Sequence, residues 1–305
     1  MIDAQPAGTP NYVLSEGPVW HGPTGTLVWV DIEAGLVLRG ELDDRGHISV
    51  IRRTELGDYV GCAIPLDDDR TLVALTRRLA IVGADGSVDR GSELLPAHQR
   101  FNDGSIDPQG RLVVGSLSLS GDANDNVLLR LETTGELTVL DDDLGLSNGL
   151  GWSPDGTVFY STDTDARTIY RRSYGADVVG KRESFIEFDE GVNPDGLTID
   201  AAGRLWVAIW GGHGVRVFDD RGDELADLGA SIPPPHSSSV AFAGPSLDQL
   251  VITSASRDLD EAERMRWPDA GGLFSAHPEA RGLPATPWVE APLPGVGPDR
   301  GAIQR

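Results

Sequence analysis

The sequence holds one cysteine, Cys62, and one lysine, Lys181, among its 305 residues. A single thiol excludes an intrachain disulfide and any cluster of thiolates around a metal. Every other basic residue except histidine is an arginine, so the shortage of lysine reads as a bias of composition and not as function. Positive charge is scarce in total: 25 Lys and Arg stand against 48 Asp and Glu, a formal net charge of −23. Such a chain cannot neutralise a run of phosphates, which excludes nucleic acid as a partner, and an anionic membrane is equally unsuited. No apolar run approaches the roughly 18 residues that span a bilayer. The N-terminus MIDAQPAGTP lacks a basic stretch followed by an apolar one, so no secretory signal is expected and the expected location is cytoplasmic. Helical signal is almost missing as well. The best candidate is DLDEAERMRW, Asp258 to Trp267.

Glycine and proline are plentiful, at 38 and 20 residues, and they punctuate short runs of β-branched and aromatic residues. One element recurs, a polar turn followed by a strand: HGPTGTLVWVDI, PLDDDRTLVAL, DPQGRLVVGSL, SPDGTVFYSTD, DAAGRLWVAIW and GPSLDQLVITSA. The turns end at Gly25, Arg70, Gly110, Gly156, Gly203 and Gln249, a spacing of 40 to 47 residues. Most units add a second strand and turn, as in LLRLETTGELTVL. Four short strands in about 45 residues is the spacing of a propeller blade. Six such units use up the chain. The expected fold is therefore all-β, a six-bladed β-propeller forming a single domain over residues 1–305. A two-sheet sandwich is the alternative, and the even period argues against it.

In a propeller the innermost strand of each blade lines the central channel. Eight or nine positions before each turn stand Glu16 in SEGPVW, Gly61 in YVGCAIP, Asn102 in RFNDGSID, Asn148 in LSNGLGW and Asp195 in NPDGLTID. The sixth unit offers the serines of PHSSSVAF near that level. Equivalent positions of a rotationally repeated fold converge on its axis. Four of them carry side-chain oxygens, and a cluster without Cys or His suits a hard cation: calcium first, then magnesium or manganese. Zinc is possible, although it ordinarily takes nitrogen or sulfur. Singly, NDG, SNG and PDG are common turn sequences. Their shared phase in the repeat is what points to a site.

At these residues the chain resembles the SMP-30/gluconolactonase/luciferin-regenerating enzyme family, the regucalcin-like sugar lactonases. The matching stretches are SEGPVW with VWVDI, RFNDGSIDPQGRL, LSNGLGWSPDGTVFYSTD, NPDGLTIDAAGRLWVAIWGG and VITSASRD with DAGGLF, from Ser15 to Phe274. The resemblance implies a six-bladed propeller with one divalent metal in its channel and a sugar (aldono-)lactone as small-molecule substrate. It implies Glu16, Asn148 and Asp195 as metal ligands and Asp195 as acid/base as well. Asn102 would lie close to the metal or bind substrate, and Arg100 would bind substrate oxygens. Animal members carry an acidic residue and a lysine on the loop and strand after RFNDG. Here Asp125 in SGDANDNVLLRL is the substitute for the first, and no lysine stands between Arg100 and Asn148.

The expected chemistry is metal-dependent opening of the lactone to the acid, with Arg100 orienting sugar hydroxyls and Asp195 or Asp103 taking the proton. Two other readings use the same residues. One is a metal-dependent esterase, phosphotriesterase or aryl-lactonase; the other is a calcium-binding regulator without turnover. Gly145 to Gly149 matches G-x-S-x-G, but Ser147 is followed by a strand pattern and not the helix of a nucleophile elbow. His98, His213 and His236 read as loop or packing residues, with the pocket as the alternative for His98 and His213, and Trp152, Trp206 and Trp210 read as core, with Trp210 near the mouth. The expected assembly is a monomer or weak homodimer.

Overall fold

The structure, a computed structural model, describes residues 1–66, 69–121 and 124–295 and the short strand Ile303–Gln304. Asp67 and Asp68 of the second repeated turn, and Asp122 and Ala123 of the SGDAND loop, lie outside the described residues. Six sheets, antiparallel apart from an added edge strand on two of them, follow one another along the chain as blades. Their inner strands are Ser15–His21, Val60–Pro65, Gln99–Ile106, Ser147–Trp152, Asn193–Ile199 and Ser237–Ala243. Each inner strand packs against the inner strand of the next blade, and the sixth packs against the first, which closes the ring. The six-bladed β-propeller expected from the period is the fold observed.

The strand sequences follow from this stacking. A middle strand is covered by neighbouring blades on both faces, so it reads as a continuous apolar run. Thr26–Asp31 is buried at every position. An outer strand has one face in solvent and alternates, as Ile48–Glu55 does. Large side chains fill the spaces between blades: Trp29, Trp206, Phe101, Phe159 and Phe274 are fully buried. The repeated turns of blades 3, 4 and 5 are capped by their own aspartates. Asp155 accepts from Ser153 Oγ at 2.6 Å and from Thr157 N at 3.1 Å, and Asp200 accepts from the backbone of Ala202 and Arg204.

Blades 5 and 6 take their outermost strands from the other end of the chain. Ile2–Asp3 pairs in parallel with Ala230–Ser231, and Gln5–Pro6 pairs antiparallel with Phe274 and Ser275. Ile303–Gln304 adds to the outer edge of blade 3. The expected helix is shorter than its pattern, Glu261–Arg266, opened by a capping box between Asp260 and Glu263. Among the described residues no helix is long and apolar enough to cross a membrane.

A second aspartate device holds the segments that lead into two inner strands. Asp31 accepts from Val13 N at 3.0 Å and Leu14 N at 3.1 Å. Asp163, buried in the equivalent place of blade 4, accepts from Gly145 N at 3.0 Å, Leu146 N at 3.1 Å and Ala166 N at 3.2 Å. Loss of this carboxylate leaves buried N–H groups unpaired. Asp163→Ala is expected to lower unfolding free energy by about 2–4 kcal/mol. Denaturant midpoints check this, and a change under about 1 kcal/mol would contradict the role.

Candidate functional site

All six inner strands carry a register break at the same height. It falls between Glu16 and Val19, Val60 and Cys62, Phe101 and Gly104, Asn148 and Leu150, Pro194 and Leu197, and Ser237 and Ser239. A bulge re-aims the side chain beside it. Here, at the phase read from the sequence, it gathers Glu16, Asn102, Asn148 and Asp195 on one cavity of about 270 Å³. The motifs NDG, SNG and PDG of the inner strands are therefore bulges inside strands and not reverse turns. Their glycines answer to close packing between blades. A Cβ on Gly149 would sit 2.7 Å from the backbone oxygen of Asp195, and one on Gly61 would run into the backbone of Phe101 and Asn102. The second blade has no room for a ligand side chain at this level. The sixth presents Ser238, whose hydroxyl is spent on Ser15 O at 2.6 Å.

The cavity is lined by carboxylates, amides and two arginines, Arg100 and Arg257, on an apolar wall of Leu14, Leu117, Leu146 and Trp210. Arg100 is 4% exposed and donates from Nη1 to Phe101 O and Asn102 Oδ1, both at 2.9 Å. Asn102 Nδ2 donates to Ser147 O at 3.0 Å and to Asn148 Oδ1 at 2.9 Å. Asn148 Nδ2 donates to Thr164 Oγ1 at 2.9 Å, and the Thr164 hydroxyl donates to Pro194 O at 2.7 Å. Gly17 N donates to Glu16 Oε2 at 3.0 Å. Asp195 is buried, and its Oδ1 has no hydrogen-bond partner.

Burial pushes the Glu16 carboxyl up to about 8, helped by the nearby Asp103 and opposed by Gly17 N–H and Arg100. Burial also raises Asp195 well above the ordinary carboxylate range, with Glu16 and then Asp103 adding to it. Asp103 is pushed up to about 6 by burial, partly offset by Gly104 N–H. Arg100 is lowered to about 10, first by burial and then by Arg257. Burial thus disfavours the charge on three carboxylates of one channel, and the two guanidiniums at the cavity are already engaged, Arg100 with Asn102 and Arg257 with Glu33. An orphaned buried oxygen on Asp195, a second buried carboxylate and an amide oxygen make an all-oxygen set that fits a hard cation. Among the described residues no three His, Cys, Asp or Glu side chains are placed to hold one metal ion between them, so a cation here would depend on the Asn148 amide as well as on Glu16 and Asp195.

Asp125 is not part of this lining. Its carboxylate is 56% exposed, paired with His98 Nε2 at 3.0 Å, and its backbone oxygen accepts from Gln99 Nε2 at 2.8 Å. Asp103 lines a larger cavity of about 610 Å³, formed by the downstream halves of the inner strands with Trp152 and the segment 283–287. The polar groups converge on the smaller cavity, which makes it the candidate site. Ser147 is fully buried on a strand that is followed by the strand Val158–Asp163, and its Oγ has no partner, so it is no nucleophile. His236 stacks on Trp210 with ring centroids 4.3 Å apart, and His213 meets Trp267 edge-on. Of the three tryptophans, Trp206 is fully buried, and Trp210, read as near the mouth, lines the site. Sequence reasoning passed over Thr164 and Arg257, which reach the cavity from loops after middle strands. The only signal was their place in the motifs STDT and SASRD.

Residues 14–256 match the model of the SMP-30/Gluconolactonase/LRE-like region. A pentonolactonase of Haloferax volcanii is 35% identical over 280 residues, covering 89% of this chain and 93% of the relative. A 6-deoxy-6-sulfogluconolactonase of Pseudomonas putida is 34% identical over 270 residues, 86% of this chain and 90% of that one. Among solved structures, a calcium-binding protein, regucalcin, of Agrobacterium tumefaciens superposes with a TM-score of 0.87 at 26% identity, covering 95% of this chain and 98% of its own.

Proposed function

The chain belongs to the SMP-30/gluconolactonase/LRE-like family, and on that footing we propose that it is a divalent-metal-dependent lactonase opening a sugar (aldono-)lactone to its acid. The observation that carries the reading is the convergence of Glu16, Asn148 and Asp195, with Asp195 Oδ1 unpaired, on one polar cavity. Relatives named as lactonases of pentono- and sulfoglucono-lactones support the substrate class.

Glu16, Asn148 and Asp195 would hold the metal, calcium by the chemistry of the donors. When bound, such an ion supplies Lewis acidity toward a carbonyl oxygen. The remaining work belongs to the chain. Arg100, on the same wall as Asn102, orients substrate hydroxyls with its planar fork of donors. The leucines and Trp210 cover the apolar faces of the sugar ring and thin the water around it. Asp195 takes a proton from the attacking water as its oxygen adds to the lactone carbon. It returns that proton to the ring oxygen as the C–O bond breaks, leaving a hydroxy acid. Arg257, paired with Glu33 at 3.3 Å and lying at the cavity wall, bounds the mouth. Asp125, held outside the lining, would meet at most the rim of a substrate.

A panel of aldono-1,4- and 1,5-lactones, assayed with and without chelator, tests the proposal. Hydrolysis of at least one member is expected to fall by about 100-fold or more on chelation and to return with calcium, magnesium or manganese. Turnover indifferent to chelator, or none with any lactone, would overturn it.

A further inference from the structure

Four hydrogen bonds run in one line across the site, and chemistry fixes their direction at both ends. Arg100 can only donate, and the Pro194 carbonyl can only accept. From Arg100 Nη1 the line passes to Asn102 Oδ1, from Asn102 Nδ2 to Asn148 Oδ1, from Asn148 Nδ2 to Thr164 Oγ1, and from the Thr164 hydroxyl to Pro194 O. Reversal of any one amide would set two donors or two acceptors face to face. Asn102 is used up in this arrangement. Its oxygen takes Arg100, and the two hydrogens of its Nδ2 go to Ser147 O and Asn148 Oδ1. Asn148 Oδ1 has one partner, and a carbonyl oxygen has two lone pairs.

We infer that Thr164 is a positioning residue for the metal site: by spending its only proton on Pro194 O it must accept from Asn148 Nδ2, which turns the Asn148 amide oxygen toward the channel. It does so across a blade boundary, because Pro194 lies on the strand of Asp195 in blade 5 while Asn148 and Thr164 belong to blade 4. One hydroxyl therefore locks the orientation of one ligand to the backbone beside another. Without it the Asn148 NH₂ loses its acceptor, and the amide oxygen is held in its present direction by the Asn102 Nδ2 donor alone. Valine preserves the shape of threonine and removes both hydrogen-bonding functions, whereas serine keeps them.

This inference rests on the metal reading above, and calorimetric titration of calcium into metal-free protein separates the two. Wild-type protein that binds no divalent cation would sink both. Given wild-type binding, Thr164→Val is expected to weaken calcium about tenfold, and Thr164→Ser to stay within about twofold of wild type. Thr164→Ala is carried in parallel, with melting of the metal-free proteins confirming that each variant folds. The decisive comparison is made in an Asn148→Asp background. A carboxylate presents an oxygen whichever way it turns, so the loss from Thr164→Val or Thr164→Ala is expected to shrink there to under about threefold. Wild-type affinity in Thr164→Val and Thr164→Ala, or an equal loss in both backgrounds, would overturn the positioning role.

Discussion

Asp195→Ala is expected to reduce lactone hydrolysis by about 10³-fold or more while leaving the protein folded. Two losses combine in that one substitution. The side chain is the proposed proton acceptor, and it also carries the buried Oδ1 that has no partner within the protein. Ordinary core logic would call its removal destabilising, but the surroundings say otherwise. Burial and the neighbouring Glu16 and Asp103 already disfavour the charged form of this carboxyl when no cation is present. The metal-free variant should thus melt no lower than the metal-free parent, and calcium should no longer raise its melting temperature. Steady-state assays and thermal melts with and without calcium measure both halves. Activity within tenfold of wild type would remove Asp195 from the chemistry, and a calcium-induced shift equal to wild type would remove it from the ion.

The second large effect is a reversal of pH dependence by the metal. Glu16 is raised from an ordinary value of 4.5 to about 8, chiefly by burial, and Asp195 is raised in the same sense. A carboxyl that binds its proton more tightly when folded stabilises the fold fully below its unfolded value. That stability is lost as pH rises through the folded value. The metal-free protein should accordingly be most stable near pH 4–5 and lose stability up to about pH 8, on the order of 4 kcal/mol from Glu16 alone. Saturating calcium favours the ionised carboxylates and binds only the folded chain, so the loss should disappear and the cation-induced gain should grow with pH. Urea titrations at pH 5 and pH 8, each with calcium and with chelator, give the comparison. A chelated protein as stable at pH 8 as at pH 5 would contradict the burial of these groups as free carboxyls.

The two Pro-Asp-Gly stretches show how far the sequence could be read. Asp155 and Asp195 sit in the same tripeptide, and only their phase in the repeat told them apart. The structure puts Asp155 on an exposed turn, satisfied by Ser153 and Thr157, and Asp195 beside a bulge at the channel. The period sufficed for the propeller because every blade must present covered middle strands at equal spacing. It could not reveal the closing strands, since Ile2–Asp3 and Gln5–Pro6 are two residues each and carry no alternation. Nor could it deliver Thr164 and Arg257, which reach the cavity from loops whose direction depends on packing. Asp125 marks a different limit. Matching a loop to a family position says nothing of where its side chain turns, and this one turns to His98.

The first six residues have a consequence for the order in which the molecule is built. Gln5 and Pro6 are synthesised before all six blades are complete, whereas Ser275 and Phe274, to which they bond, belong to the last blade. The ring therefore cannot close before the sixth blade has been made, however well the earlier blades have formed, and closure joins residues far apart in sequence. Glu16 stands in the blade that seals against the last one, and Asp195 in the blade before that last one. The two carboxylates meet across the seam of the ring, so the axial cavity comes into being only with the final step of folding, and a cation that needs both acids cannot be captured before it.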